Sequence, residues 1–519
     1  MIQTNKWPLP AEITRHIVEL ACWREPQGSP YRLYNHQRIR STNAADIAPY
    51  ACVCSAWRDE VERLTFRHLR LDRTRLADVD RVVCPRRRAY VRTVDLDVEL
   101  ESYGVDVYGD FETAEEGKRN GAIFSETLRL FFSVFHRWTP EPGADGSDDD
   151  RACISLCITA FSPSDTRHCG AVEMKRRDLD FKHRDIFDDR YIHSILQLVP
   201  LADAAVDDEL PVVTSVSELI SGKERHISAA AWASIINSLP NARMIDFDLW
   251  ESEKKDVELR KRLRDEIGDA LAKTRCPHAE VVLSCGYATP KDHASSPPIL
   301  VDRHSTGHDA FLRGLRAWSR QLKVLRLSDV VVAPEVIFPP AAASSDDDDE
   351  AARGWPYLER LAVEYPAVTP HGSWLLERNP EDSPRDRPSP VVDLDEFDQD
   401  SLRIEVPAPE DLYEDAFRSV PVAADMDRLY RGAARAVRRM PALRELYLVT
   451  FDVARTRPWG EDTHHAFLYR YDTARGLATA HWGSWPAYQP AEDVVALWKE
   501  ATREVRGCEL QVSIDKDEV

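Results

Sequence analysis

Apolar positions along this chain follow two periods. The first segment, roughly residues 7–71, reads as helical. Ile13, Ile17, Leu20 and Ala21 recur at i, i+4, i+7 and i+8, one apolar face of a helix. Pro10 suits the first turn, where a missing N–H costs nothing, and Glu12 complements the positive helix end. Glu25-Pro26-Gln27-Gly28-Ser29-Pro30 stops that helix. A second apolar face then runs through Ile47, Tyr50, Cys54, Trp57, Val61 and Leu64 in steps of three and four, with Pro49 near its first turn.

Beyond residue 71 the dominant pattern is L-x-x-L-x-L. It occurs as Val91, Val94, Leu96; as Ala242, Ile245, Phe247; as Leu322, Leu325, Leu327; as Leu358, Leu361, Val363; and as Leu443, Leu446, Leu448. Helical stretches precede three copies: Ala229 to Leu239, Ala310 to Ser319 and Met426 to Met440. A period-two strand backed by a helix cannot bury its own apolar face, so neighbouring units must stack. The pattern resembles a leucine-rich repeat. Two further strands, Cys153 to Ile158 and Glu280 to Ser284, are assigned to the same sheet. The spacing is longer and less regular than in that repeat, and Glu99, Trp250, Val330, Pro366 and Phe451 stand where its Asn or Cys belongs. The expected fold is therefore α/β: an N-terminal helical module over 1–71, followed over 72–519 by an irregular leucine-rich-repeat-like α/β solenoid. The alternative is an ordinary α/β domain whose helices cover one sheet.

Acidic segments near 143–150, 344–350 and 381–400 interrupt the body and are expected to be mobile insertions. Order is expected to return with a hairpin, in which Phe467 to Tyr471 and Ala478 to Trp482 flank Arg475-Gly476. A helix over Ala491 to Val505 and a strand over Cys508 to Val512 then close the chain.

The N-terminal residues Leu9, Pro10, Glu12, Ile13, Ile17 and Leu20, together with Val53, Cys54, Trp57 and Arg58, resemble the F-box consensus. An F-box followed by an irregular leucine-rich body is similar to fungal F-box-like proteins. Ala160-Phe161-Ser162-Pro163-Ser164-Asp165 and the stretch from Phe467 to Trp485 also resemble that set. The resemblance implies docking on a Skp-type adaptor and, through it, on a cullin scaffold. It implies that Leu9, Pro10, Ile13, Ile17, Leu20, Val53, Cys54 and Trp57 contact the adaptor or hold the helices that do. The stretch between Leu20 and Ile47 is longer than the usual link between F-box helices and reads as a surface insertion. On the residues alone, the same helices would also serve as a cap over the first repeat.

Composition narrows the function classes. The net charge of −21 disfavours phosphate backbones and anionic membranes, so neither nucleic acid nor membrane is expected as a partner. No apolar run reaches the roughly 18 residues that span a bilayer. The opening residues lack the apolar core of a signal peptide, and the ten cysteines form no compact framework, which points to cytoplasm or nucleus. No phosphate loop, H-E-x-x-H or G-x-S-x-G occurs. No catalytic residue, cofactor or metal is expected. His304 and His308 read as surface residues, while Cys153 and Cys157 read as small buried hydrophobes. Arg86-Arg87-Arg88 reads as a solvated turn or an import signal. Ser344 and Ser345, ahead of five acidic residues, read as a plain solvated linker, in a context that would also suit an acid-directed kinase. Trp250, Trp355, Trp374, Trp482 and Trp485 are candidate exposed contact residues for a client. The expected function is a non-catalytic substrate receptor of a cullin-RING ubiquitin ligase; the alternative is a scaffold with no ligase link.

Overall fold

The computed structural model describes residue 13 and residues 15–18, 47–104, 107, 110–138, 154–165, 189–191, 194–200, 209–251, 253–254, 256–287, 289–301, 309–332, 354–380, 389–390, 413–415, 417–452, 463–486 and 488–515. Leu9, Pro10, Leu20, Cys153, His304, His308, Ser344 and Ser345 lie outside them. So do the three acidic segments, apart from Ser389 and Pro390.

Among the described residues, twelve strands form one sheet whose spatial order is the chain order. They are β1 (His68–Leu71), β2 (Thr93–Glu99), β3 (Ile154–Phe161), β4 (Val216–Ser221), β5 (Met244–Asp248), β6 (Glu280–Ser284), β7 (Val324–Ser328), β8 (Arg360–Glu364), β9 (Glu445–Asp452), β10 (Thr463–Asp472), β11 (Leu477–Trp485) and β12 (Leu510–Ile514). Strands β1 to β9 pair in parallel throughout. The β9–β10–β11 part is antiparallel, and β12 returns parallel to β11.

Period-two alternation explains the sheet. All fifteen marked positions of the five L-x-x-L-x-L copies are buried and belong to one continuous core. The register sets Ile245 beside Val281, Val281 beside Leu325, Leu325 beside Leu361 and Leu361 beside Leu446, an apolar ladder across five strands. A one-residue slip would turn the whole ladder to solvent. The intervening residues form the opposite, open face. Asp95, Asp97, Glu218, Asp246, Asp248 and Glu280 lie there, half-buried or exposed.

The helices are α1 (Ser55–Thr65), α2 (Arg73–Val82), α3 (Ala114–His136), α4 (Ala229–Asn237), α5 (Val257–Lys273), α6 (Ala310–Ser319), α7 (Ala423–Val437) and α8 (Glu492–Arg506). From α2 onward they bury one stripe each into the same core as the inward strand residues, so they cover one face of the sheet. Their starts are set by side-chain caps: Asp72 to Arg75 N, Ser228 to Ala231 N, Asp256 to Leu259 N, Asp309 to Leu312 N, and a capping box between Thr113 and Glu116. Gly507, left-handed at φ 67°, ends α8.

Several sequence expectations change. The second helical face is not one helix. A 3-10 turn over Ala48–Cys52 gives way to extended Cys54 before α1 begins, because Cys54 takes the N-cap position. The last four residues of the segment read as helical, His68–Leu71, form the edge strand of the body sheet. Strand β4 was not foreseen, because Ser215, Ser217 and Glu218 hide its apolar alternation. Cys157 is not a core residue: β3 buries Ile154, Leu156 and Ile158 and turns Cys157 to the open face beside Thr159.

The C-terminal hairpin forms as expected, turning at Gly476 with φ 61°. Its aromatic cluster joins Tyr430 of α7, Phe467 of β10, Trp482 of β11 and Trp498 of α8, with ring centres 4.6–6.1 Å apart. Among the described residues, no helix is long and apolar enough to cross a membrane.

Candidate functional site

Among the described residues, large apolar side chains are left in solvent at Val82, Phe111, Val199, Val212, Ile299 and Tyr357 of the body and at four positions of the N-terminal module. Ile13 is 46% exposed, Ile17 38%, Tyr50 43% and Val53 56%. Ile13 and Ile17 lie one turn apart in a helical stretch, which places them on one face. The residue after them, Val18, faces inward and packs with Ile47 and Val61 in a small separate core, supported by Ala51, Trp57 and Leu64. Of the docking residues named from sequence, Ile13, Ile17 and Val53 are exposed, while Cys54 is half-buried at the start of α1. Trp57 is half-buried against the module core, its ring 6.2 Å from that of Tyr50. Tyr50, on the second apolar face of the sequence, is 43% exposed.

The arginine triplet is not a free basic turn. Pro85–Arg88 is a single helical turn, and its three guanidinium groups are all engaged. Arg86 pairs with Asp59 at 2.9 Å and also with Glu62. Arg87 pairs with Glu62 at 2.7 Å, donates to the Val82 carbonyl at 2.7 Å and lies 4.6 Å over the Phe66 ring. Arg88 pairs with Asp80 at 3.0 Å and lies 5.1 Å over Trp138. Glu62 is buried, and the hydrogen bond from Arg87 holds its carboxyl below the usual range against the opposing effect of burial.

The tryptophan expectation is overturned. Trp250, Trp355, Trp374 and Trp482 are buried, and Trp485 is half-buried. Trp482 packs within the aromatic cluster, Trp355 donates to Ser319 Oγ at the end of α6 at 2.8 Å, and Trp374 donates to the Ser295 carbonyl at 3.0 Å. A satisfied indole N–H lets a large ring enter the core.

Two polar constellations stand at the carboxyl ends of the strands. After β3, Asp165 accepts the hydroxyls of Tyr103 and Tyr191, each at 3.0 Å, and the Ser162 amide at 2.8 Å. Ser162 and Ser164 hydroxyls donate to the carbonyls of Glu101 and Tyr103. The Ala160 to Asp165 motif is thus a staple between the loops that follow β2 and β3. Beyond β5, buried Arg264 pairs with Glu251 and Asp309, both at 2.7 Å, and Arg260 lies 3.9 Å over Tyr287. Burial works against the Arg264 charge, but Asp309 and Glu251 together outweigh it and raise its pKa. These groups are mutually paired, the arrangement of a structural network. Among the described residues, no group of three or more His, Cys, Asp or Glu is placed to hold a metal ion. His465 is buried, with Nε2 at 3.0 Å from the Ser419 carbonyl.

Residues 415–518 match a model described as a family of unknown function, DUF6546. The matched stretch holds α7, the antiparallel strands, α8 and β12, and ends short of the N-terminal module. No curated protein matches the chain.

Proposed function

We propose that this chain is a non-catalytic substrate receptor, docking a Skp-type adaptor of a cullin-RING ubiquitin ligase through its N-terminal module and holding a client protein on its body. The observation that carries the reading is the exposure of Ile13, Ile17, Tyr50 and Val53, which lie outside the small core of Val18, Ile47 and Val61. Large apolar side chains left in solvent on such a module support a surface that another polypeptide covers. The body supports the role of a client platform. Its parallel strands follow chain order and its helices lie on one side, which leaves a broad open face and supports reading the body as an irregular leucine-rich-like solenoid. The acidic residues on that face favour a basic client and disfavour nucleic acid. The role is positional: holding a client lysine near a ubiquitin-charged enzyme raises their effective concentration.

The test is co-purification. Ile13→Asp with Ile17→Asp, in the full chain, loses the adaptor that the wild type retains, while the far-ultraviolet spectrum is unchanged. Adaptor retained at wild-type level by that variant overturns the reading.

A second reading has its own support. The ion pairs from Arg86 and Arg87 to α1 hold the module on the edge of the body, as a solenoid cap requires. Under that reading the chain is a scaffold, and segment 1–75 captures no adaptor.

A further inference from the structure

The turn Pro85–Arg88 stands between the N-terminal module and the body, and its side chains hold both. Toward the module, Arg86 and Arg87 converge on Glu62, which is buried in the middle of α1, and Arg86 adds Asp59 one turn earlier. Toward the body, Arg87 holds the Val82 carbonyl at the end of α2. Arg88 holds Asp80 of α2, and the same carboxylate accepts from Arg137 and from the Trp138 indole at 2.9 Å, at the end of α3. One helical turn therefore ties α1, α2 and α3 together through charged, hydrogen-bonded contacts.

The module core of Val18, Ile47 and Val61 is separate from the main core. Phe66, just after α1, and Leu69 and Leu71 of β1 reach the main core, while the ion pairs engage α1 itself. Two carboxylates of α1 engaged by two neighbouring arginines fix direction as well as distance, because a guanidinium donates along set directions in its plane.

We propose that Glu62, Arg86 and Arg87 form a latch that fixes the angle of the N-terminal module to the sheet, so that the apolar patch and the open face are presented at one set separation. Its consequence for ubiquitin transfer rests on the receptor reading; the latch itself does not. Glu62 and the arginines are positioning residues. They lie outside the patch of Ile13, Ile17, Tyr50 and Val53.

The latch is tested on the full chain with fluorophores placed through non-natural residues at Val53 and at Gln511, both exposed. Single-molecule energy transfer should give one narrow population for the wild type. Arg86→Ala with Arg87→Ala should lose it for a broad one, with the melting transition of the body kept. Glu62→Gln, which keeps the shape of the side chain and removes its charge, should shift the population the same way without unfolding α1. A narrow, unshifted population in both latch variants overturns the proposal. Adaptor capture is measured on the unlabelled chains, because Val53 belongs to the docking patch. Loss of adaptor binding by the wild type itself would sink the receptor reading and leave the distance result standing.

Discussion

Gly314 of α6 rests against the backbone of Gly268 in α5. A Cβ on Gly314 would overlap the Gly268 carbonyl, and one on Gly268 would overlap the Ala310 carbonyl. The two helices touch main chain to main chain, so neither position tolerates a side chain without the helices moving apart. Gly314→Ala should destabilise the body by about 1–3 kcal/mol, the usual cost of overpacking, despite the better helix propensity of Ala. Urea unfolding followed at 222 nm measures it. An unchanged midpoint would show that the helices separate freely.

Close approach of α5 and α6 also encloses Arg264, which α5 carries, against Asp309 at the start of α6. The same guanidinium donates to the Val331 carbonyl at 3.0 Å. Arg264→Met keeps much of the volume but strands two buried carboxylates. Breaking a buried ion network from one side costs about 3–5 kcal/mol. The expected result is a lower unfolding midpoint. Glu251→Gln with Asp309→Asn, added to Arg264→Met, should recover part of the loss.

Asp329 gives a pH-dependent prediction. It sits after β7 with φ 57°, a left-handed conformation that Asn adopts as readily. Burial raises its carboxyl above the ordinary value, and burial followed by the charge of Asp329 raises that of Glu364. A carboxyl raised in the folded state binds its proton more tightly there. Its favourable contribution is full below the unfolded pKa and is lost as pH rises through the folded one. Asp329→Asn should therefore raise the melting temperature at neutral pH, and the gain should shrink as pH falls through the carboxylate range. A gain independent of pH would contradict this.

Glu62 carries the opposite sign. Its carboxyl is lowered by the hydrogen bond from Arg87, so its contribution is present above the unfolded pKa and lost as pH falls through the folded one. Glu62→Gln should lower stability at neutral pH and match the wild type in acid. Thermal melts across the carboxylate range measure the difference.

Much of the fold was legible because it is written in local period. Leu325 and Leu327, or Leu446 and Leu448, alternate with polar residues, and two-residue alternation has only one way to bury its apolar half. Ala310 to Ser319 and the hairpin at Gly476 were legible for the same reason: spacing and turn chemistry act over a few residues. Exposure is different. Whether Trp374 faces water depends on the loop that brings the Ser295 carbonyl to its indole, 79 positions away. The use of Arg86 depends on Glu62, which the chain brings back against it from an earlier helix.

The sequence by itself determined the ladder of buried aliphatic positions, the helices that back it and the oily residues of the first segment, since each follows from neighbours a turn or a pleat apart. Tertiary structure alone decided that β1 joins the body sheet, that Ile13 and Ile17 stay outside while Val18 turns in, and that an arginine run became a fastening between module and body. Those outcomes depend on burial and charge pairing between segments distant in the chain, which local periodicity does not encode.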